Sequence, residues 1–194
     1  MLNKKTVRGR FTPFESTKTV TPIPVRHAAV QDALIQSSLD PRVRSISYVA
    51  SAVVASQQVN VGAIVVQRDD GRFFVDLVPA RRVLDLDQLG LALIALEKLR
   101  LKRLIINVEE LLREPRCTNA RFVWLYKEYP VPRKVQDRIL RALSEKKQME
   151  LGELERSVRS RDAFNAVMSL ACADVLELDL TSQAIQQTTF VRAR

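Results

Sequence analysis

Asp76 stands alone on an apolar run, Phe73-Phe74-Val75-Asp76-Leu77-Val78. A carboxylate in that setting invites comparison with metal-dependent phosphodiester cleavage. That chemistry needs two or more carboxylates converging on Mg²⁺, plus a cation to steady the attacking water or the developing charge. The preceding run, Val61–Val66, carries Gly62 and no acid, and the residue two beyond Asp76 is Val78, not Lys. Asp69 and Asp70 adjoin Gly71, where acids suit a turn. Asp85 and Asp87 read as the acidic start of a helix, stabilised by its macrodipole. An active nuclease would therefore have to combine Asp76 with Asp69, Asp85 or an acid from a partner chain. His27 reads as an exposed helix-start residue with no partner for general-base work. No Gly-rich phosphate loop, nucleophile elbow or metal cluster is present in the sequence. No metal, cofactor or small-molecule substrate is expected.

The cations form two groups. Residues 1–26 hold Lys4, Lys5, Arg8, Arg10, Lys18 and Arg26 against Glu15, interrupted by Pro13, Pro22 and Pro24. They read as an extended basic arm that either follows a phosphate backbone or is a solvated tail. The second group comprises Arg133, Lys134, Arg138 and Arg141, then Lys146 and Lys147, then Arg156, Arg159 and Arg161 ahead of Asn165 and Ser169. In a helix-turn-helix, early residues of the third helix reach base edges while flanking cations hold phosphates. Glu145, Glu150, Glu153 and Glu155 dilute this patch, and the same module elsewhere serves as a protein dock.

The elements that would position these residues follow from periodicity. His27–Leu39 has loose helical spacing and stops at Asp40-Pro41. Val43–Ala55 is β-branched and reads as a strand. Val59–Val66 and Arg72–Val78 make a hairpin about Asp70-Gly71, and Pro79 blocks further pairing. Leu84–Leu101 predicts an amphipathic helix with Leu89, Leu93, Leu96 and Leu99 on one face. Arg103–Val108 predicts a short buried strand and Glu109–Leu112 a helical turn. Arg121–Leu125 is open between helix and strand. The expected class is α/β, a mixed sheet flanked by helices. Beyond Pro130 and Pro132 the pattern turns helical, at Lys134–Leu143, Leu151–Val158 and Asp162–Ala173. Two short strands, Leu176–Leu180 and Thr188–Val191, then close the chain. That order is the order of a small winged-helix domain. The expected division is a basic arm over 1–26, an α/β domain over 27–129 and the winged helix over 130–194.

Composition sets the outer bounds. With 194 residues, 46% of them hydrophobic, the chain can bury a substantial core. The net charge of +9 favours a polyanionic partner, with double-stranded DNA first. Cys117 and Cys172 suit neither a disulfide scaffold nor a zinc site. No apolar run is long enough to span a membrane, and the expected setting is the cytoplasm.

The order of these parts resembles the TnsA-type transposon endonucleases over residues 9–194. The likeness is carried by Ile105-Ile106-Asn107-Val108-Glu109-Glu110-Leu111-Leu112-Arg113-Glu114-Pro115-Arg116 and Thr118-Asn119-Ala120-Arg121. Asp40-Pro41-x-Val43 and Thr188-Thr189-Phe190-Val191 add to it. The resemblance implies a restriction-endonuclease-like domain followed by a winged helix, and transposon-end or target DNA with a transposase-type protein as partners. It places the family's helix Glu at Val30 or Gln31, its first Asp at Gly62, its final acid at Asp76 and its Lys at Val78. Asp76 is then a vestige, Gln31, Gly62 and Val78 are degenerate positions, and the chain is expected to be a pseudo-nuclease.

Overall fold

A computed structural model describes residues 13–194. Lys4, Lys5, Arg8 and Arg10 lie outside the described residues. The chain that follows does not form a free arm over residues 13–26. The Phe14 and Ile23 backbones bond to each other at 2.8 and 3.0 Å, both side chains are buried, and the Phe14 ring stacks on Trp124. The Lys18 ammonium is buried too, donating to the Asp40 carbonyl at 2.7 Å and meeting the Asp174 carboxylate at 3.1 Å. Apolar residues among the prolines hold this segment down; the expectation of an extended basic arm is corrected there.

Helix α1 (Ala28–Leu39) starts at His27, whose Nδ1 accepts from the Ala29 amide at 3.1 Å. Three antiparallel strands follow, β1 (Val43–Val54), β2 (Gln57–Arg68) and β3 (Gly71–Leu77). The β1–β2 turn places Ala55 and Ser56 at positive φ, the handedness that matches strand twist. After β3 a single 3₁₀ turn, Val78–Ala80, carries the chain off the sheet. Helix α2 (Leu86–Lys98) then leads to β4 (Lys102–Ile106), which pairs in parallel with β3. The sheet order is β1-β2-β3-β4.

Alternation along the strands sends side chains to two faces. Val61, Val65 and Phe74 pack with Ala95 and Leu96 of α2. Val75 and Leu77 pack with Ala29, Val30 and Ala33 of α1 on the other face. Two expectations change here. The buried face of α2 is Ala92, Ala95 and Leu96, whereas Leu89 and Leu93 are 44% and 49% exposed. The helix rests on β1 and β2 through Ala92, Ala95 and Leu96, the alanines letting it approach closely, and Leu89 and Leu93 ride on the flank. Strand β4 is not buried: it is an outer strand with one neighbour, and Lys102, Arg103 and Ile105 are exposed.

Helix α3 (Val108–Leu111) is capped by Asn107, and α4 (Arg116–Trp124) settles the open segment as helix. Then come α5 (Arg133–Lys146), β5 (Gln148–Glu150), α6 (Leu151–Val158), α7 (Ala163–Cys172), β6 (Leu176–Leu178) and β7 (Phe190–Ala193). The last three strands form an antiparallel sheet ordered β5-β7-β6. The whole is mixed α/β. One buried cluster runs from Phe14, Leu34 and Ile46 through Ala120 and Val123 to Ile139, Leu154, Val167 and Val191. Apolar packing therefore continues across Pro130 and Pro132. Both cysteines are free and buried. Among the described residues, no helix is long and apolar enough to cross a membrane.

Candidate nucleic-acid interface

Asp76 is held by arginines. Its register partner on β4 is Ile105, so Arg103, two residues earlier on that strand, shares its face. Arg103 Nε lies 2.7 Å from Asp76 Oδ2, and its Nη2 contacts the same oxygen. Arg81, just past the 3₁₀ turn, donates from Nε to Oδ1 at 2.7 Å and from Nη2 to Oδ2 at 2.8 Å. The carboxylate is only 10% exposed, so these bonds are shielded on its side. The Arg81 hydrogen bonds hold the Asp76 carboxyl below the usual carboxylate range, and with those of Arg103 they outweigh the opposing effect of burial. Both oxygens are taken by guanidinium donors, Arg81 in the bidentate geometry that favours Arg over Lys and Arg103 through Oδ2 alone.

Gly62 stands at a bulge. Val49 pairs with Ala63 and Ser51 with Asn60, so two residues of β2 oppose one of β1. Gly62 takes φ +59, and an added Cβ would lie 2.7 Å from Arg82 Nη1. Arg82 also donates to Asn60 Oδ1 at 3.2 Å. Arg81 thus engages Asp76, while its neighbour Arg82 engages Asn60 beside Gly62. The other resemblance-derived positions do not converge with them. Gln31 is exposed on α1, Val30 packs on the opposite sheet face, and Val78 has left the strand for the 3₁₀ turn. Arg81, Arg82 and Arg103 were missed by the sequence reading. The basic dipeptide following Pro79-Ala80 was the available signal.

The remaining acids are occupied as the turn and cap readings suggest. Asp69 pairs with Arg44, Asp70 with Arg68, and Asp85 caps α2 by accepting from the Gln88 amide at 2.8 Å. A groove of about 470 Å³ separates the end of α1 from β6 and β7. Its cations are already matched, Arg42 with Asp40 and Arg192 with Glu177.

The cations of the second group differ. Arg133, Lys134, Arg138 and Arg141 are exposed on α5, and Arg159 and Arg161 are exposed on the α6–α7 connection. Arg138 Nη1 reaches the Val158 carbonyl at 3.4 Å, which brings the two sets together. Among the described residues, no ion pair involves any of these six side chains. Helix α7 does not offer the reading face expected of it. Ala163 and all of Ala166–Cys172 are buried, and Ser169 donates to the Tyr129 carbonyl at 2.8 Å. Asn165 is half-buried beside Tyr129. Packing of α4 and α1 on α7, a long-range contact, covers the helix.

The segment that carried most of the resemblance is structural in its contacts. Arg121 forms a bidentate pair with Asp32 of α1 at 2.8 and 2.6 Å, and Asn119 binds the β6–β7 connection. Compared with models of known protein families and with curated proteins, the chain matches none.

Proposed function

We propose that the protein is a non-catalytic, DNA-associated component of a mobile element, TnsA-like in arrangement. In this reading a restriction-endonuclease-like domain and a winged-helix domain hold duplex DNA and dock onto a transposase-type partner. The observation that carries it is the contrast in charge pairing. Arg42, Arg44, Arg68, Arg81, Arg103 and Arg121 each meet a carboxylate, whereas among the described residues Arg133, Lys134, Arg138, Arg141, Arg159 and Arg161 meet none and face solvent together. Such a surface gains affinity for phosphates by counterion release. With α7 buried, contact is with the backbone and not with base edges, so binding is weakly sequence-dependent. The guanidinium clamp on Asp76 supports the non-catalytic half of the reading. The flank of α2, where Leu86, Leu89, Leu93 and Ile94 are exposed, supports a protein partner.

The test is duplex binding titrated with salt, alongside cleavage assays in Mg²⁺ and Mn²⁺. Affinity that falls steeply with salt and no cleavage are expected. Nicking that disappears in Asp76→Ala would establish the alternative, a metal-dependent endonuclease with displaced acids. No duplex affinity at low salt would leave the winged helix as a protein-interaction module.

A further inference from the structure

We infer that the outer edge of β4 is a self-association surface, on which a second copy of this chain lays its own β4 antiparallel to the first. The two edges of the sheet differ. The β1 edge is bridged from outside: the Ile46 amide donates to the Lys18 carbonyl at 2.7 Å, and the Val20 amide donates to the Ile46 carbonyl at 2.9 Å. Strand β4 has β3 on one side, and among the described residues no backbone bond reaches its other side. Helix α3 leaves that edge clear because it folds onto the α1 side of the sheet, where Leu111 packs with Ala29, Ala33 and Leu77.

An open edge offers unpaired N–H and C=O groups to any strand of suitable chemistry, and natural sheets blunt such edges with charge. Here the charge is divided between the ends. Arg100, Lys102 and Arg103 stand at the start of β4, Glu109 and Glu110 follow its end, and Leu104, Ile105, Ile106 and Val108 lie between. Ile105 is 50% exposed and Val108 43% exposed. Arg103 is drawn back to Asp76, but Arg100, Lys102, Glu109 and Glu110 are exposed, and among the described residues they make no ion pair.

This pattern is complementary to itself in one orientation. About a two-fold axis at Ile105, the two Ile105 side chains meet, and the basic start of each strand lies by the acidic end of the other. A parallel copy would set like charges side by side, which destabilises paired strands. The antiparallel contact uses the same patch on both copies, so it closes at two. It joins two four-stranded sheets into one continuous sheet. Neither the pairing nor its test requires DNA.

The test is sedimentation equilibrium of the full chain over a concentration series. The mass is expected to rise from 22.0 kDa towards twice that value. Ile105→Lys places a charge on the axis at an exposed position, and is expected to raise the dissociation constant roughly tenfold or more with an unchanged far-UV circular dichroism spectrum. Arg100→Glu/Lys102→Glu sets acid against acid, and Glu109→Lys/Glu110→Lys sets base against base. Each is expected to be monomeric alone, and an equimolar mixture of the two is expected to dimerise, because each copy then meets its opposite charge. A 22.0 kDa mass at every concentration would overturn self-association. A dimer indifferent to all three variants would overturn the β4 edge as its site. Two monomeric charge variants that stay monomeric when mixed would overturn the antiparallel pairing.

Discussion

The Asn119 amide on α4 donates to the Leu180 carbonyl at 3.0 Å, beyond the end of β6. The same Nδ2 reaches the Gln183 carbonyl at 2.8 Å, and Oδ1 accepts from the Ile185 amide at 3.1 Å. A 3% exposed side chain thus stands in for a strand, satisfying three backbone groups of a connection that has no ladder. Asn119→Ala leaves these groups without that partner. Each buried group left unsatisfied costs about 1–3 kcal/mol, and water entry relieves part of the sum. A loss of about 2–4 kcal/mol is expected in urea unfolding. Asn119→Asp should be nearly as costly, because a carboxylate cannot donate to the two carbonyls.

Asp76 gives a pH prediction. Its folded carboxyl is held below the usual range, chiefly by Arg81 with Arg103 assisting. The unfolded carboxyl therefore takes up its proton first as pH falls. The stabilisation is fully present above the unfolded value of about 3.9 and is lost as pH drops through the lower, folded value. Unfolding free energy measured against pH should show an acid limb below about 4 that is shallower in Asp76→Asn. Parallel limbs in the two proteins would sink the clamp as a source of stability.

Local signals made much of the sheet legible. Asp70-Gly71 between apolar runs specified the hairpin, and Asp40-Pro41 ended α1, because each depends on backbone chemistry within a few residues. The orientation of elements was less accessible. The leucines of α2 repeat at helical spacing, yet the sheet selected Ala92, Ala95 and Leu96, a choice made by how closely two elements approach. The burial of α7 depends on α4, some forty residues earlier, and no periodicity within α7 reports it. The Asp76 cluster was hidden for a related reason. Arg81 is five residues away in sequence, but Arg103 is twenty-seven away and arrives only when β4 pairs in parallel with β3.

Restoring the acid that the resemblance places at position 62 should not restore a nuclease. Gly62 has φ +59 at a bulge, where a side chain is strained, and an added Cβ meets Arg82 at 2.7 Å. Gly62→Ala is expected to cost about 1 kcal/mol or more in thermal unfolding. Gly62→Asp would set its carboxylate against Arg82, and Val78→Lys would extend from the 3₁₀ turn instead of the strand. Gly62→Asp/Val78→Lys is therefore expected to show no cleavage in Mg²⁺ or Mn²⁺ on a supercoiled plasmid. Conversion to nicked circles would show that the arginines yield to a metal.

The α5 surface and the buried α7 make opposite predictions for affinity and for specificity. Arg138 and Arg141 are exposed, and among the described residues neither has an acid within ion-pair distance. If they face phosphates, Arg138→Ala/Arg141→Ala should lower affinity for every duplex by a similar factor and reduce the salt slope by about 2. The fold should tolerate this, since the buried face of α5 is Val135, Ile139 and Leu143. Asn165 is the residue that a reading helix would have used, but it lies half-buried against Tyr129. Asn165→Ala should leave the ranking of duplexes of different sequence unaltered, because a half-buried side chain on a covered helix does not reach along a base edge. Affinities measured on a panel of duplexes at one salt concentration separate the two roles. A change of rank order in Asn165→Ala would mean that α7 reaches the groove after all. A uniform fall in Arg138→Ala/Arg141→Ala, with rank preserved in both variants, is what contact through the backbone alone requires.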